Sequence, residues 1–296
     1  MGAELRQKYP LLMVLKVMQL SRSTFYYHLN RTISDETRKL INEIKAIFEE
    51  HKSRYGYRRI TLELKNRGFI VNHKRVKRIM SELKLYGKKP KSKTRYNSYQ
   101  GDLKGTCKNQ LLTKVVDTKR NNTYYSRQFT TTQPNQIWAT DVSEFRIAAG
   151  KLYLSPILDL HCRDIVSVAI STSPNFEQTM TMLQTAFAKY PKLDNLIFQS
   201  DQGWQYQMRP YREALQNRGI VQSMSRKGNC LDNSPMENFF SLLKNEMFYG
   251  HEDEFETLED LKLAIETYIE YYNTKRISVK LKGLTPVQYR NQSLLV

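Results

Sequence analysis

Residues 131 to 296 alternate between the apolar spacing of strands and that of helices. Three strand-like runs separated by short turns come first: NQIWATDVSEF, KLYLSPILDL and DIVSVAIS. Two helical patterns and two short strands then alternate: NFEQTMTMLQTAFAKY, NLIFQS, RPYREALQNRGI and VQSMS. This order predicts an α/β fold in which helices pack on a mixed five-stranded sheet.

Residues 1 to 86 show helical spacing instead. The pattern of residues 1–33 predicts a short helix-turn-helix-like segment. Either Ser21 or Ser23 can cap its second helix. Residues 34–86 predict a small all-α domain of three helices, with Gly68 ending the second and Asn72 capping the third. We interpret residues 34–86 and residues 131–296 as two separate domains.

The charge is distributed unequally between these regions. The chain carries 47 Lys and Arg against 29 Asp and Glu, a net charge of +18. Residues 1–130 hold 30 basic and 10 acidic residues, whereas residues 131–296 hold 17 and 19. Residues 87–130, which are basic and have few periodic apolar positions, predict a linker that is extended or ordered only on binding. A basic half joined to a near-neutral half indicates nucleic acid as the partner.

Other classes of protein are disfavoured. No run approaches the roughly 20 apolar residues that span a bilayer, and no signal-peptide pattern is present, so we expect a cytoplasmic protein with no membrane partner. The three cysteines are far apart and the histidines lack zinc-ligand spacing, which indicates neither a disulfide framework nor a zinc site.

Several basic residues are candidate DNA contacts. Lys74, Arg75, Lys77 and Arg78 lie on the faces of the third helix that its apolar residues leave free, as phosphate or base contacts require. The alternative is a solvated helix face. Further candidates are Arg58, Arg59 and Lys227.

Three carboxylates are candidate catalytic groups. Asp141 lies in the first strand of the predicted sheet and Asp201 at the end of its fourth. Glu237 falls at the third position of a helix that Ser234 can cap and Pro235 can start. Taken singly, Asp201 could simply open a turn and Glu237 could complete a capping box.

The motifs that contain these residues have the spacing of a known family. The segments PNQIWATDVSEF, FQSDQGWQY and GNCLDNSPMENFFSLLKNE resemble the DD(35)E core of insertion-sequence transposases, and 35 residues separate Asp201 from Glu237. The segments YGYRRITLELKNRGFIVNHKRVKRIM and YIEYYNTKRISVKLKGLTPVQYR resemble the helix-turn-helix and C-terminal tail of the OrfB product of the insertion sequence 3 family. The resemblance covers nearly the whole chain.

The resemblance implies a ribonuclease-H-like catalytic core. Asp141, Asp201 and Glu237 would together hold two Mg²⁺ or Mn²⁺ ions for DNA strand cleavage and strand transfer. Lys244, seven residues after Glu237, would lie on the same helix face and contact the terminal nucleotides near the scissile phosphate. The alternative for Lys244 is a solvated lysine with a contact one turn away.

The implied partners are double-stranded DNA, as terminal inverted repeats and target, and further copies of the chain on paired ends. The family also leads us to expect an upstream OrfA-type product, because no heptad run here is long enough for a leucine zipper. We expect such a protein to act at the bacterial nucleoid. Three alternatives remain open. The first is a DNA-binding regulator, including an inactive one derived from a transposase. The others are a ribonuclease H acting on RNA–DNA hybrids, which would not need the helix-turn-helix modules, and a degenerate, inactive transposase.

Overall fold

The computed structural model describes residues 8–30, 34–88, 105–117 and 122–295. The helices are α1 (Leu11–Met18), α2 (Arg22–Asn30), α3 (Asp35–Glu50), α4 (Tyr57–Asn66), α5 (His73–Glu82), α6 (Phe176–Lys189), α7 (Trp204–Gln207), α8 (Arg209–Gln216), α9 (Ser234–Leu243), α10 (Leu258–Thr274) and α11 (Pro286–Ser293). The strands are β1 (Leu112–Asp117), β2 (Asn122–Arg127), β3 (Ile137–Thr140), β4 (Ser143–Ile147), β5 (Gly150–Asp159), β6 (Ile165–Ser171), β7 (Ile197–Ser200) and β8 (Val221–Met224). No helix among the described residues is long and apolar enough to cross a membrane.

Strands β3 and β4 together fill one position in the main sheet. Thr140 pairs with Ile157 and Ser143 pairs with Leu154, so both segments keep one register against β5. The first strand, predicted as one run, is thus interrupted just after Thr140, and Asp141 lies at the interruption and not within a strand. Six segments fill five positions in the order β6, β5, β3 with β4, β7, β8, and β3, β7 and β8 are parallel. The predicted mixed α/β fold is confirmed.

Both faces of this sheet are covered, which explains the continuous apolar character of β3. Trp138 packs on one face in a core formed with α6 and α8. Its neighbours Ile137 and Ala139 point to the opposite face, where α9 and α10 supply the core. Successive side chains of a strand alternate between faces, so all four residues of β3 are buried.

Helix ends follow the local signals of the sequence. The backbone N–H of Thr24 donates to Ser21 Oγ (3.1 Å), and that of Lys74 donates to Asn72 Oδ1 (2.8 Å). Gly68 takes φ +85° just after α4, a left-handed conformation that favours glycine. Helix α9 begins at Ser234 itself, one residue earlier than predicted, with Asn233 in the capping position.

Part of the predicted linker is folded. Strands β1 and β2 pair antiparallel from Leu112 with Arg127 to Asp117 with Asn122. The predicted linker thus contains a paired hairpin, and Arg127 at its end forms an ion pair with the buried Asp232. Residues 89–104 and 118–121 of the same predicted linker lie outside the described residues.

The helical domain is joined to the catalytic domain by the C-terminal tail. Ile277 packs into the core of α3, α4 and α5, beside Ile60 and Leu64. The backbone N–H of Ile277 donates to Tyr55 Oη (2.8 Å), and Asn66 Nδ2 donates to the carbonyl of Gly283 (2.9 Å). The tail thus completes the core of a domain more than 200 residues away in sequence.

A buried glutamate lies at the centre of this junction. Glu246 accepts hydrogen bonds from Arg276 Nη2 (2.7 Å), Arg59 Nη1 (3.3 Å) and Tyr268 Oη (3.0 Å). Burial alone would raise the pKa of Glu246, but hydrogen bonds from Arg276 and the nearby arginine charges hold this pKa below its usual value. A lowered carboxyl pKa stabilises the fold at neutral pH, and that stabilisation is lost as pH falls through the folded-state pKa.

We predict that Glu246→Gln strongly destabilises the protein. The substitution keeps the shape but leaves Arg276 buried without its counter-charge, a change that costs about 3–5 kcal/mol. Thermal unfolding followed by circular dichroism measures the effect. The control is Glu270→Gln on the exposed side of α10, which should change stability by no more than about 0.5 kcal/mol. Equal melting temperatures for the two variants would contradict the assigned role of Glu246.

Candidate active site

Two aspartates lie side by side because of the pairing between β3 and β7. These strands are parallel neighbours, and Ala139 pairs with Gln199. Asp141 follows Ala139 by two residues and Asp201 follows Gln199 by two residues, so both leave the sheet at the same edge. Neighbouring strands lie about 4.8 Å apart, which places the two carboxylates next to each other.

Neither aspartate has a cation bonded to it within the described part of the chain. Asp141 Oδ1 accepts from the backbone N–H of Val142 (2.8 Å), and Asp201 Oδ1 accepts from that of Gly203 (2.8 Å). Burial raises the pKa of Asp141 well above its ordinary value, and the charges of Asp201 and Glu237 raise it further. Burial likewise raises the pKa of Asp201. The site therefore concentrates negative charge on groups that no bonded cation neutralises.

The turn after β7 brings backbone close to Asp201. A Cβ atom at Gly203 would lie only 2.9 Å from Asp201 Oδ1, so only glycine fits this position without a shift. One oxygen of Asp201 thus forms the turn that its sequence context suggested, while the other carboxylate oxygen makes no hydrogen bond with any described residue. The turn and the site are compatible roles of the same side chain.

Glu237 lies in the first turn of α9 and is half buried. Its carboxylate makes no hydrogen bond or ion pair with any described residue. The capping box that the sequence allows with Ser234, itself a described residue, therefore does not form. Its charge still acts on Asp141. Phe239, Phe240 and Leu243 on the opposite side of α9 are buried, which turns the Glu237 face away from the core.

Lys244 lies beside the same cluster, and its ammonium group is bonded within the protein. Nζ donates to the carbonyl of Glu144 (2.8 Å) and lies 4.8 Å from the ring centre of Phe145. Burial lowers the pKa of Lys244, against the charges of Glu144 and Asp141, which raise it. The α-helix ends at Leu243 and Lys244 begins a π-helical turn (Lys244–Phe248), where we predicted one continuous helix. The place of Lys244 on the Glu237 face and its contact with DNA stay predictions.

The candidate DNA contacts on α5 differ in their exposure to solvent and in their contacts with other side chains. Lys74 and Lys77 are exposed, and Arg78 is exposed beside Glu82 at 3.7 Å. Arg75 is half buried and its Nη2 donates to Thr37 Oγ1 (2.9 Å), which ties α5 to α3. Three of the four predicted side chains therefore form one accessible basic face.

The remaining basic candidates lie apart from that face. Arg58 is exposed and its guanidinium lies over the ring of Tyr57, at 5.7 Å from the ring centre. Lys227 is exposed in the loop between β8 and α9. Arg59 is turned inward to Glu246, so the structure gives it a role at the domain junction where we predicted a DNA contact. The sequence could not reveal this, because Glu246 lies 187 residues away.

Asn233 is a site residue that sequence reasoning missed. Its Nδ2 donates to the carbonyl of Thr140 (3.0 Å), the residue just before Asp141. Its Oδ1 is buried and has no hydrogen-bond partner among the described residues. A buried amide oxygen without a partner is costly, and such atoms are found where another group binds. The asparagine directly before the SPMEN motif was the available signal.

Asp232 was also missed, and it orders the loop that carries Asn233. It accepts from Arg226 Nε (2.9 Å) and Arg127 Nε (2.8 Å), which link the loop to β2. Although burial acts in the opposite direction, hydrogen bonds from Arg226 and Arg127 lower the pKa of Asp232 to about 2. The loop is thereby fixed between the hairpin and the sheet.

A second group of buried acids, Asp159, Cys162 and Asp164, has ligand atoms within 4.8 Å of one another. Arg290 already fills it, since Nη2 lies 2.9 Å from both Asp159 and Asp164. The other oxygen of Asp159 accepts from the backbone N–H groups of His161 (2.7 Å) and Cys162 (3.3 Å). This cluster anchors α11 to the sheet and is not a site for a metal.

Family models match most of the chain. Residues 131–230 and 237–294 match two families that are both described as integrase core domain, and residues 35–93 match the family described as HTH-like domain. The catalytic core domain of HTLV-2 integrase in complex with magnesium is 19% identical, with a TM-score of 0.43 over 53% of this chain and 97% of that chain.

Several relatives match along almost their whole length. The transposase InsK for insertion sequence element IS150 of Escherichia coli K12 is 45% identical, over 99% of this chain and 97% of that protein. The transposase for insertion sequence element IS904 of Lactococcus lactis is 34% identical over 85% of this chain and 94% of that protein. The transposase InsF for insertion sequence IS3A of Escherichia coli K12 is 29% identical over 94% and 93%.

An integrase core preceded by a helix-turn-helix-like domain defines a DNA polynucleotidyl transferase, an enzyme of DNA transposition and integration. Within that class, the chain belongs to the insertion sequence 3 family of transposases, with the IS150 transposase among its relatives.

We predict that Mg²⁺ stabilises the protein through the acidic cluster. A ligand that binds only the folded state at one hundred times its dissociation constant adds about 2.7 kcal/mol. Asp141→Asn should raise the melting temperature at neutral pH without metal, because a carboxyl with a raised folded-state pKa destabilises the fold when it is ionised. The same substitution should reduce the further increase that Mg²⁺ produces.

Differential scanning calorimetry with and without Mg²⁺ measures both effects. Asp253→Asn on the exposed turn before α10 is the matched control and should behave as the wild type does. A Mg²⁺-dependent shift of the same size in Asp141→Asn would place the bound metal elsewhere.

Proposed function

We propose that Asp141, Asp201 and Glu237 form the catalytic site of this transposase and hold two Mg²⁺ or Mn²⁺ ions. The substrate is double-stranded DNA at the terminal inverted repeats of the element, followed by target DNA. Bound ions of this kind activate the attacking water or 3′-hydroxyl and stabilise the leaving oxygen of a phosphodiester. Carboxylate oxygens are the ligands that such hard cations prefer.

One observation carries this proposal. The register of β3 and β7 places two partly buried carboxylates side by side, and no arginine or lysine is bonded to either of them within the described residues. Carboxylates withdrawn from solvent in proteins are normally paired or coordinate metal. A third carboxylate, Glu237 in the first turn of α9, makes no hydrogen bond with any described residue and adds to the negative potential at Asp141.

The surrounding residues prepare this site in the absence of substrate. The bond from Val142 N–H fixes the orientation of Asp141, and the bond from Gly203 N–H fixes that of Asp201. Asn233 holds the backbone of Thr140, and its amide oxygen has no hydrogen-bond partner among the described residues. Lys244 supplies one nearby positive charge, which moderates the pKa of Asp141. Groups fixed before binding lose little entropy when the reaction occurs.

The proposal extends to partners. The exposed basic face of α5 binds the phosphate backbone, and two or more copies of the chain assemble on paired ends. An upstream OrfA-type product would add sequence recognition. We therefore propose that the protein acts at the bacterial nucleoid.

We predict that Asp141→Asn, Asp201→Asn and Glu237→Gln each abolish end cleavage and joining while preserving the fold. Each change removes a carboxylate charge but little packing, and residues that act as one unit give double variants no worse than single ones. The assay incubates each variant with end DNA and Mg²⁺ and follows 3′-end nicking and joining on denaturing gels.

A variant that keeps more than about a tenth of wild-type nicking removes its residue from the site, because loss of an essential group in a catalytic unit lowers the rate by several orders of magnitude. A wild-type protein that binds end DNA but never nicks it would favour the inactive regulator. Glu213→Gln on the exposed surface of α8 controls for a general effect of charge removal.

We predict that the basic face of α5 contributes salt-dependent affinity. Removing one cation that binds a phosphate should reduce the slope of log K against log salt by about 0.9. The triple variant Lys74→Gln, Lys77→Gln and Arg78→Gln should therefore have a slope lower by about 2.7 on random DNA. The matched control, Lys16→Gln with Lys39→Gln and Lys45→Gln on α1 and α3, should change the slope less. Equal slopes in all three proteins would show that α5 does not bind phosphates.

A further inference from the structure

A cavity of about 430 Å³ opens beside the catalytic helix, and Glu237 is part of its lining. Ser234, Glu237, Asn238 and Ser241 form one side of it, since residues three and four apart share a helix face. A smaller cavity of about 60 Å³ lies against it and shares the residues Arg163, Pro235, Asn238 and Lys280. The polar face of α9 therefore borders a space and not the protein core.

Two cations face this space. Arg163 and Lys280 line both cavities, and neither side chain makes a hydrogen bond or ion pair with any described residue. Arg163 is half buried, and burial lowers its pKa. A partly desolvated guanidinium without an acceptor is unfavourable, so its position favours an anion.

The backbone holds Arg163 in an uncommon conformation. Its φ is +63°, in the left-handed region that residues with a Cβ atom rarely adopt. Asp159 fixes the turn, since its carbonyl accepts from Arg163 N–H (2.9 Å) and its N–H donates to the carbonyl of Asp164 (3.1 Å). Strain of this kind persists where the surroundings impose it, and it often marks a functional position.

The nearest acids do not neutralise Arg163. Asp159 and Asp164 lie in the same turn, but Arg290 occupies the carboxylates of both. Arg163 thus lines the cavity without an ion pair to any described residue, while Arg290 is paired with both acids. Phe129 and Leu231 give the cavity an apolar wall, and Leu231 is 55% exposed there.

We propose that this cavity binds a nucleotide of the DNA strand next to the scissile phosphate, with a backbone phosphate held by Arg163 and Lys280. Guanidinium groups bind phosphate oxygens in pairs, and apolar side chains accept sugars and bases without sequence preference. Glu237 lines the same cavity, so the position of the cavity relative to the cleavage point, and with it this inference, rests on the proposed function. The turn that carries Arg163 lies at the other end of β3 from Asp141, since Asp159 pairs with Trp138. We assign the negative charge of Glu237 to the binding of the metal ions.

The test uses DNA in which one phosphate at a time is replaced by a neutral methylphosphonate. The substrate is a duplex of the element's end, and initial nicking rate and affinity are measured for every position with the full-length protein and Mg²⁺. For the wild type we expect one or two positions near the cleavage point where neutralisation weakens binding about tenfold.

Arg163→Asn is the informative variant, because asparagine tolerates the left-handed backbone and removes the charge. It should keep or raise the melting temperature, weaken end binding about tenfold, and abolish the sensitivity at those positions, since two changes to one interaction are not additive. Lys280→Gln, on an exposed side chain, should reduce the same sensitivity, and Lys192→Gln on the loop after α6 should leave it unchanged.

An unchanged position profile in both Arg163→Asn and Lys280→Gln overturns the inference. Inorganic phosphate or a free nucleotide that competes with end DNA only in proteins retaining Arg163, without any position-specific effect, would show a general anion site instead and would also overturn it. A wild-type protein that nicks no end DNA contradicts the proposed function, whereas normal nicking with unaltered profiles contradicts only the assignment of this cavity.

Discussion

The parallel pairing of β3 and β7 brings two like charges together at a partly exposed edge of the sheet. This pairing places Asp141 and Asp201 at one sheet edge, where burial and mutual repulsion oppose their ionisation. Such an arrangement is unfavourable by itself and persists because the rest of the fold supplies the stabilisation. The sheet is covered on both faces, and the two cores that cover it fix the register of β3.

Other buried acids in the protein show the contrast. Glu246 is bonded to Arg276 and Arg59, and Asp232 to Arg226 and Arg127, and the pKa of each acid is lowered. Asp159 and Asp164 share Arg290. These pairs connect distant segments of the chain: the helical domain, the hairpin, the tail and the sheet. Acids that have an arginine hold the structure together, and the acids that lack one form the candidate catalytic site.

The same comparison applies to cations. Three arginines form ion pairs with buried carboxylates: Arg59, Arg276 and Arg290. Arg163, in contrast, lines a cavity beside α9. Composition cannot distinguish these arginines, because all contribute equally to the net charge. Their functions differ because the fold supplies an acceptor to some of them and none to Arg163 among the residues that the structure describes.

The sequence by itself determined what depends on local spacing. The alternation of apolar residues predicted the α/β fold, and cap residues such as Asn72 and Gly68 marked helix ends. The chemistry was implied by the resemblance to transposase motifs, in which 35 residues separate Asp201 from Glu237. All of these signals lie in the order of residues along the chain. The hairpin of β1 and β2 was not predicted, and its contact between Arg127 and Asp232 joins residues 105 apart in the chain.

Tertiary structure alone decided which charges are paired. It turned Arg59 inward to Glu246, filled the Asp159 cluster with Arg290, left Asn233 Oδ1 without a partner among the described residues, and placed Arg163 at a cavity. The physical reason is that the energy of a charge depends on its burial and on the groups within a few ångströms. Spacing along the chain specifies neither of these, since both are set by segments that meet only when the protein folds.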